Sequence, residues 1–105
     1  MAASFRETLS IIIPAYNEAD SLPAVLTSCQ QLDPLEIIVV ANGCTDQTAS
    51  IAKSYGCKVI VEPEPLGNDI GRALGAASAS GDVLLFLDAD FSISPKELHH
   101  FLLPI

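Results

Sequence analysis

Basic residues are scarce in this sequence: five Lys and Arg stand against thirteen Asp and Glu, which gives a formal net charge of -8 at pH 7. Proteins that bind nucleic acid meet its phosphates with clustered Lys and Arg side chains. The five basic residues are spread along the chain, which argues against a nucleic-acid partner. A charged ligand such as a nucleotide diphosphate would therefore need a cation between its phosphates and this acidic protein.

Cysteine and long apolar runs are scarce as well. Cys29, Cys44 and Cys57 are odd in number and have no CxxC spacing, so neither a disulfide framework nor a zinc ribbon is predicted. No apolar run approaches the ~20 residues that cross a bilayer, and residues 1–8 hold no apolar stretch of signal-peptide length. We therefore expect a cytoplasmic chain with reduced thiols and no membrane span.

The residues that are abundant are hydrophobic, at 50% of the chain, which predicts a globular protein. A length of 105 residues is near the usual size of one domain, so we expect a single domain over residues 1–105. Four β-branched and aliphatic runs predict strands at residues 9–13, 36–41, 58–62 and 83–87, and all except the shorter third one are expected to be buried. The first of these is expected to end at Pro14.

Apolar residues at helical spacing follow each strand. They predict helices over residues 21–31, 45–55 and 68–80, and a last helix that begins at Ser94-Pro95. Strands that alternate with helices predict an α/β fold with a mainly parallel sheet and helices on both faces.

Local signals predict how these helices begin, pack and end. Asp20 or Ser21 is expected to cap the first helix, and Asp46 is expected inside the first turn of the second. In the third helix, the predicted packing face is Ile70, Leu74 and Ala77, and Gly81 is expected at the C-cap. Gly71 and Gly75 weaken the helical pattern of this segment.

Polar segments follow three of the strands. They are Pro14-Ala15-Tyr16-Asn17-Glu18, Asn42-Gly43-Cys44-Thr45-Asp46 and Asp88-Ala89-Asp90. The carboxyl ends of parallel strands meet at one edge of a sheet, where α/β proteins bind their ligands. The sequence therefore predicts one binding site built from all three segments.

Asp88 and Asp90 are two carboxylates separated by one residue at the end of a buried strand. Mg²⁺ and Mn²⁺ take one or two protein carboxylates and complete their shell with water and substrate phosphate, so the pair suits a nucleotide diphosphate. Taken alone, such a pair is more often a solvated turn or a helix cap. Its position at a strand end favours the metal.

The three segments together resemble the family 2 glycosyltransferases. The resemblance covers residues 9–103 and rests on SIIIPAYNE at residues 10–18, IIVVANGCTD at 37–46 and FLDAD at 86–90. It implies a truncated, Rossmann-like GT-A fold of the nucleotide-diphospho-sugar transferases. The implied activity is transfer of a sugar from a nucleotide-diphosphate sugar to an acceptor hydroxyl, with Mg²⁺ or Mn²⁺.

The resemblance also implies roles for individual residues. Those that would line the nucleoside pocket are Pro14, Ala15, Tyr16 and Glu18. Asp88 would contact the ribose and Asp90 the metal and diphosphate. Arg72 looks like the family's arginine before the acidic strand, and its guanidinium suits phosphate or carboxylate contacts. A surface ion pair with Asp or Glu is an equal alternative for Arg72.

The sequence departs from the family pattern at Ala41, where the family usually has an acidic residue that receives a base N–H. Asn42 could still offer an amide donor and acceptor to the base. The identity of the base therefore stays open. Asp46 lies at the same predicted edge, but a favourable charge near a helix N-terminus is the simpler interpretation.

The resemblance implies that the acceptor-binding half, with the carboxylate that acts as general base, lies beyond Ile105. An inverting transfer needs such a base within hydrogen-bond reach of the acceptor hydroxyl. The alternative to an enzyme is a catalytically incomplete nucleotide-binding or interaction remnant, which would form homo-oligomers without turnover. Family relatives often build polysaccharides or glycolipids at the cytosolic face of membranes, so the expected acceptor is a glycan or a lipid.

Other motifs have simpler interpretations. Gly67, Gly71 and Gly75 lack the GxGxxG spacing of a dinucleotide site, which disfavours hydride transfer. No glycine-rich basic loop follows the first strand, which disfavours a nucleotidylyltransferase. Cys44 is expected to be a small turn residue, and the adjacent His99 and His100 suit the dipole at a helix end.

Overall fold

The structure, a computed structural model, describes residues 8–89. Four strands alternate with three helices along this part of the chain. In order they are β1 (Leu9–Ala15), α1 (Leu22–Gln30), β2 (Glu36–Asn42), α2 (Thr48–Ser54), β3 (Lys58–Glu62), α3 (Asn68–Ser78) and β4 (Val83–Phe86). The predicted alternation is confirmed, while Asp90 and the helix predicted from Ser94 lie outside the described residues.

The four strands form one parallel sheet in the order β3-β2-β1-β4. The chain builds outward from β1 through β2 to β3 and then returns to add β4 on the other side of β1. The strand order therefore reverses between β1 and β4. In open α/β sheets the crevice at such a reversal, outside the carboxyl ends of the strands, is where ligands bind.

Helices cover both faces of the sheet, as predicted. On one face α1 and α2 pack against alternate residues of β1 and β2, among them Ile11, Ile13 and Val39. On the other face Ile12, Ile38 and Val40 form a second cluster, against which residues of α3 pack. Burial on both faces is why β1 and β2 are continuously apolar instead of alternating with polar residues. The prediction that β4 is also buried was wrong for the described residues, where β4 is an edge strand with Leu84 38% and Phe86 41% exposed.

Strand β1 continues through Pro14 to Ala15, so the prediction that Pro14 ends the strand was wrong. Pairing with β4 extends only to Ile12, whose carbonyl accepts a hydrogen bond from the Leu87 N–H at 3.0 Å. Backbone groups two residues apart point to the same side of a strand, so the N–H that Pro14 lacks would face beyond the paired part of β4. The proline therefore costs no ladder hydrogen bond.

Helix α3 packs on the sheet through its glycines and through Leu74 of the predicted face, but not through Ile70 or Ala77. Ile70 is 48% exposed and Ala77 is exposed, whereas Gly71 and Gly75 are buried. A Cβ at Gly71 would lie 3.3 Å from Cβ of Pro14, and one at Gly75 would collide with the Ile12 side chain. The absence of both Cβ atoms lets the helix approach β1 closely, which a hydropathy pattern does not reveal.

Ser21 and Gly81, which were predicted as a helix N-cap and a helix C-cap, have other roles in the structure. Ser21 occupies the N-cap of α1, but its side chain makes no capping hydrogen bond within the described residues. The C-cap of α3 is Ala79, with extended backbone, and not Gly81. A Cβ at Gly81 would lie 2.8 Å from the backbone nitrogen of Ser10, so glycine there allows the α3–β4 loop to touch β1.

Among residues 8–89, no helix combines the length and the apolar character that a bilayer span requires. The three cysteines are free, as expected. Burial raises the pKa of the Cys29 thiol to about 12 and that of Cys57 to about 11, so both stay protonated at neutral pH.

Candidate active site at the carboxyl edge of the sheet

The predicted convergence of three segments occurs at the carboxyl edge of the sheet. Parallel pairing aligns Ala15 at the end of β1 with Ala41 near the end of β2, and Ala41 with Val61 of β3. The Asp88 segment follows β4 on the other side of β1. The loop after β1 thus lies between the loop after β2 and the acidic segment.

Asn17 joins the loops after β1 and β2. Its side-chain oxygen accepts hydrogen bonds from the backbone N–H groups of Thr45 at 2.8 Å and Asp46 at 3.2 Å. Its φ is 51°, a left-handed value that asparagine tolerates better than most residues. Sequence analysis gave Asn17 no role, and the only signal for one was an asparagine directly after a strand.

Cys44 adds a second connection between these loops. Its thiol donates to the carbonyl of Ala15 at 3.3 Å, and its sulfur accepts from the backbone N–H of Asn17 at the same distance. The interpretation of Cys44 as a small turn residue was therefore incomplete. Its size fits the turn, and its sulfur also holds the end of β1 in place.

Asp46 precedes α2 and does not lie in its first turn, which corrects the predicted position. Its Oδ1 accepts from the backbone N–H of Thr48 at 2.9 Å and from the Thr48 hydroxyl, and its Oδ2 accepts from the N–H of Ala19 at 3.2 Å. These bonds, first the one from the Thr48 hydroxyl, hold the pKa of Asp46 below its usual value. The buried Thr48 hydroxyl in turn accepts from the N–H of Glu18 at 3.0 Å.

Asn42 is 5% exposed and uses its amide inside the protein. Its Oδ1 accepts from the N–H of Leu66 at 2.9 Å, and its Nδ2 donates to the carbonyl of Gly67 at 3.2 Å. These bonds fix the loop between β3 and α3. Gly43, with φ 73°, lies directly against Pro65 of that loop, so the loops after β2 and β3 pack together. Contact between Asn42 and a base stays a prediction.

Arg72 and Asp88 lie together at the edge of the site. The guanidinium of Arg72 is 3.9 Å from Oδ1 of Asp88 and 3.4 Å from Oδ1 of Asp69. The Arg72 side chain is 42% exposed and that of Asp88 is 66% exposed. Ion pairs this exposed contribute about 0–1 kcal/mol, so Arg72 can leave either carboxylate for a ligand at little cost.

The residues expected around the nucleoside differ in how much surface they offer. Pro14 and Ala15 are buried in β1, and Ala41 is 1% exposed beside Ala15. Tyr16 is 55% exposed, directly after the end of β1. Of the four residues expected around the nucleoside, Tyr16 is therefore the exposed one, and Glu18 is half-buried.

The carboxylates predicted to bind a cation are those that follow β4. Asp88 is exposed there, and Asp90 lies outside the described residues. Within residues 8–89 no group of three His, Cys, Asp or Glu side chains gathers to hold a metal on its own. A single accessible carboxylate, completed by a neighbouring carboxylate and phosphate oxygens, fits what Mg²⁺ or Mn²⁺ needs.

A family model described as Glycosyl transferase family 2 matches residues 10–105. An uncharacterized glycosyltransferase of Mycobacterium tuberculosis is 34% identical over 92 residues, which are 88% of this chain and 41% of that protein. The 4,4'-diaponeurosporenoate glycosyltransferase of Staphylococcus haemolyticus is 40% identical over 95 residues, which cover 84% of this chain and 25% of that protein.

Solved structures share the fold. The crystal structure of glucosyl-3-phosphoglycerate synthase from Mycobacterium tuberculosis, in complex with Mn²⁺, uridine-diphosphate and glucosyl-3-phosphoglycerate, matches with a TM-score of 0.79 at 28% identity. The match covers 93% of this chain and 39% of that one. This chain thus spans less than half the length of the relatives it matches.

Proposed function

This chain is a member of the family 2 glycosyltransferases, with a fold of the GT-A type, and we propose that it is the donor-binding part of an enzyme that transfers a sugar from a nucleotide-diphosphate sugar to an acceptor hydroxyl. The observation that carries the proposal is that Arg72 and Asp88 lie 3.9 Å apart beside β1, where the strand order reverses. The exposed Tyr16 follows β1 at the same edge of the sheet.

The exposed ring of Tyr16 is our candidate for the nucleoside contact. Pro14 and Ala15, buried in β1 directly before it, would support the position of Tyr16. Asp88 would bind the ribose, as the family resemblance implies. Asn42 contributes by fixing the β3–α3 loop, because both ends of its amide already have partners there.

Arg72 serves the diphosphate in this proposal. Its planar guanidinium forms paired hydrogen bonds with phosphate, and its present partners Asp69 and Asp88 hold it only through exposed contacts. Arrival of a diphosphate would therefore exchange carboxylate for phosphate at Arg72. The same exchange would free Asp88 for the ribose or the cation.

Asp90 would bind Mg²⁺ or Mn²⁺, with Asp88 beside it. Such a cation neutralises the diphosphate and stabilises the charge that develops on the leaving group. A solved relative at 28% identity was crystallised with Mn²⁺ and uridine-diphosphate, which supports this part of the proposal. Without a cation, the acidic segment would repel the diphosphate of a donor.

The acceptor is proposed to be a hydroxyl of a glycan or a lipid, reached at the cytosolic face of a membrane. The relative named 4,4'-diaponeurosporenoate glycosyltransferase, 40% identical over the shared part, supports a lipid acceptor but not the hydroxyl, because its name gives a carboxylate. The general base would come from the acceptor-binding half that the family's longer members have.

Calorimetric titration with UDP, GDP and dTDP, each with Mn²⁺ or with a chelator, tests the proposal. We expect one of them to bind in a metal-dependent manner, and Asp90→Ala to abolish that binding. Asp82→Asn is the matched control, because Asp82 is an exposed carboxylate at the opposite end of β4. If folded protein binds none of the three, the donor-site proposal fails and an interaction module becomes the better explanation.

A further inference from the structure

The side chain of Ser21 reaches across the carboxyl edge of the sheet. Serine at a helix N-cap normally accepts a hydrogen bond from the first turn of its own helix. Here the Ser21 hydroxyl instead lies 2.9 Å from the carbonyl oxygen of Ala89, a residue 68 positions further along the chain. The start of α1 is thereby attached to the segment that follows β4.

The Ser21 hydroxyl has one hydrogen and more than one acceptor within reach. Oε2 of Glu18 lies at 3.2 Å and the Glu18 carbonyl at 3.5 Å, both further than the Ala89 carbonyl. An O–H···O hydrogen bond is strongest near 2.8 Å, so Ala89 is the favoured acceptor. Of the three acceptors, the Ala89 carbonyl is the one at the distance of a strong hydrogen bond from the Ser21 hydroxyl.

Ala89 is the residue between the two carboxylates of Asp88 and Asp90. It is 3% exposed and belongs to the same core cluster as the buried residues of α1. Its carbonyl bonds to Ser21 at the start of that helix. Fixing the peptide group of Ala89 fixes the backbone from which both carboxylates project. On the other face of the sheet, Arg72 of α3 holds Asp88 only through an exposed contact of 3.9 Å.

We propose that Ser21 is a positioning residue, whose hydroxyl fixes the Ala89 carbonyl and thereby positions the adjacent Asp88 carboxylate for a nucleotide diphosphate. Its action on the ligand rests on the proposed donor site, whereas its action on the segment does not. Loss of one hydrogen bond of this kind changes an equilibrium by about five-fold.

The first measurement needs no ligand. Amide hydrogen exchange of Leu87, Asp88 and Ala89 is compared in the full chain and in Ser21→Ala, with exchange expected to be about five-fold faster in the variant. Ser21→Thr keeps the hydroxyl and should restore slow exchange. Thr27→Ala is the matched control, because it removes another hydroxyl-to-carbonyl bond of 2.9 Å from the same helix, on an exposed position.

The second measurement is the affinity for UDP, GDP or dTDP in the presence of Mn²⁺. Ser21→Ala should weaken it by about five-fold, while Ser21→Thr and Thr27→Ala should stay within about two-fold of the unsubstituted chain. The midpoint of thermal unfolding should be alike in Ser21→Ala and Thr27→Ala.

The two measurements separate this inference from the proposed function. Faster exchange in Ser21→Ala without any nucleotide binding by the unsubstituted chain would support the positioning of the segment and refute the donor site. Unchanged exchange and unchanged affinity in Ser21→Ala would overturn the role of Ser21 and leave the donor site intact. Affinity that falls equally in Ser21→Ala and Thr27→Ala would also overturn it.

Discussion

The two ends of the sheet both carry polar networks, but the networks join different groups. At the amino end, the fully buried Ser10 hydroxyl donates to Glu36 at 2.6 Å and accepts from the N–H of Gly81 at 2.8 Å. The Glu36 carboxylate also accepts from the N–H of Ser80 at 2.6 Å. This network closes on itself and attaches the α3–β4 loop to β1 and β2.

At the carboxyl end, the side chains of Asn17, Cys44 and Asp46 hold backbone groups of neighbouring loops. Because these polar side chains satisfy the backbone, Tyr16, Arg72 and Asp88 keep their outer surfaces free for other contacts. The loops of the candidate site are therefore fixed before a ligand arrives. Substitutions at the two ends should therefore differ in their effect on nucleotide binding more than in their effect on stability.

The largest effect is expected for Gly43→Ala at the carboxyl end. Gly43 has a φ of 73°, and an added Cβ would lie 2.5 Å from the backbone nitrogen of Pro65. Left-handed strain and a backbone collision together should lower the free energy of unfolding by about 3 kcal/mol, measured by urea denaturation. Nucleotide affinity of the folded fraction should fall as well, because the β3–α3 loop must move. Unchanged affinity would contradict a preformed site.

A somewhat smaller loss is expected for Gly81→Ala, the matched change at the amino end. Its Cβ would lie 2.6 Å from the Ser10 hydroxyl and 2.8 Å from the Ser10 nitrogen, so the loop or β1 must shift. We expect a loss of about 2 kcal/mol in urea denaturation. Metal-dependent nucleotide affinity should stay unchanged in this variant, and a drop like that of Gly43→Ala would mean that the two ends are not independent.

Asn17 tests the carboxyl end without a collision. Asn17→Gly accommodates the φ of 51° but removes the oxygen that accepts from Thr45 and Asp46. The free energy of unfolding should therefore fall by about 1–2 kcal/mol. Asn17→Asp keeps an acceptor there and is the control. Calorimetry should find weaker nucleotide binding in Asn17→Gly than in Asn17→Asp. Equal affinities would indicate that the attachment of the loops does not matter for the ligand.

The elements of the fold could be predicted because their signals are local. Each β-branched run became a strand, and the apolar residues at helical spacing in α1 (Leu22, Val25, Leu26 and Cys29) are buried. The packing face of α3 could not be predicted in the same way. Gly71 and Gly75 allow close packing because they have no side chain, and this matters only where Pro14 and Ile12 of β1 lie opposite them.

The candidate site was predictable in its location but not in its internal connections. Strand ends in a parallel sheet meet whatever the loops contain, so the convergence followed from the alternation of strands and helices. The bond from Thr45 to Asn17 joins residues 28 positions apart, and that from Ser21 to Ala89 joins residues 68 apart. Such partners depend on how two loops pack, for which neither residue carries a local signal.

The smallest expected effect is the pH dependence of the free energy of unfolding, to which one carboxylate at each end of the sheet contributes. Hydrogen bonds from Ser10 and then from Ser80 hold the pKa of Glu36 below its usual value of 4.5, and those from Thr48 hold the pKa of Asp46 below 3.8. A carboxylate whose pKa is lower in the folded state contributes stability above its unfolded pKa, and this is lost as the pH falls through the folded pKa. The free energy of unfolding should therefore decrease as the pH falls below these usual values.

Glu36→Gln should remove the upper part of this decrease, because the amide oxygen still accepts hydrogen bonds but no longer titrates. Asp46→Asn should remove the lower part. Urea denaturation between about pH 3 and pH 7 measures both parts of the decrease, because the usual pKa values of the two carboxyls, 4.5 and 3.8, lie in this range. Only Asp46→Asn should also weaken nucleotide binding at pH 7, because Asp46 holds the N–H of Ala19 beside the site whereas Glu36 lies at the far end of the sheet. Equal binding by the two variants would refute the distinction between the ends.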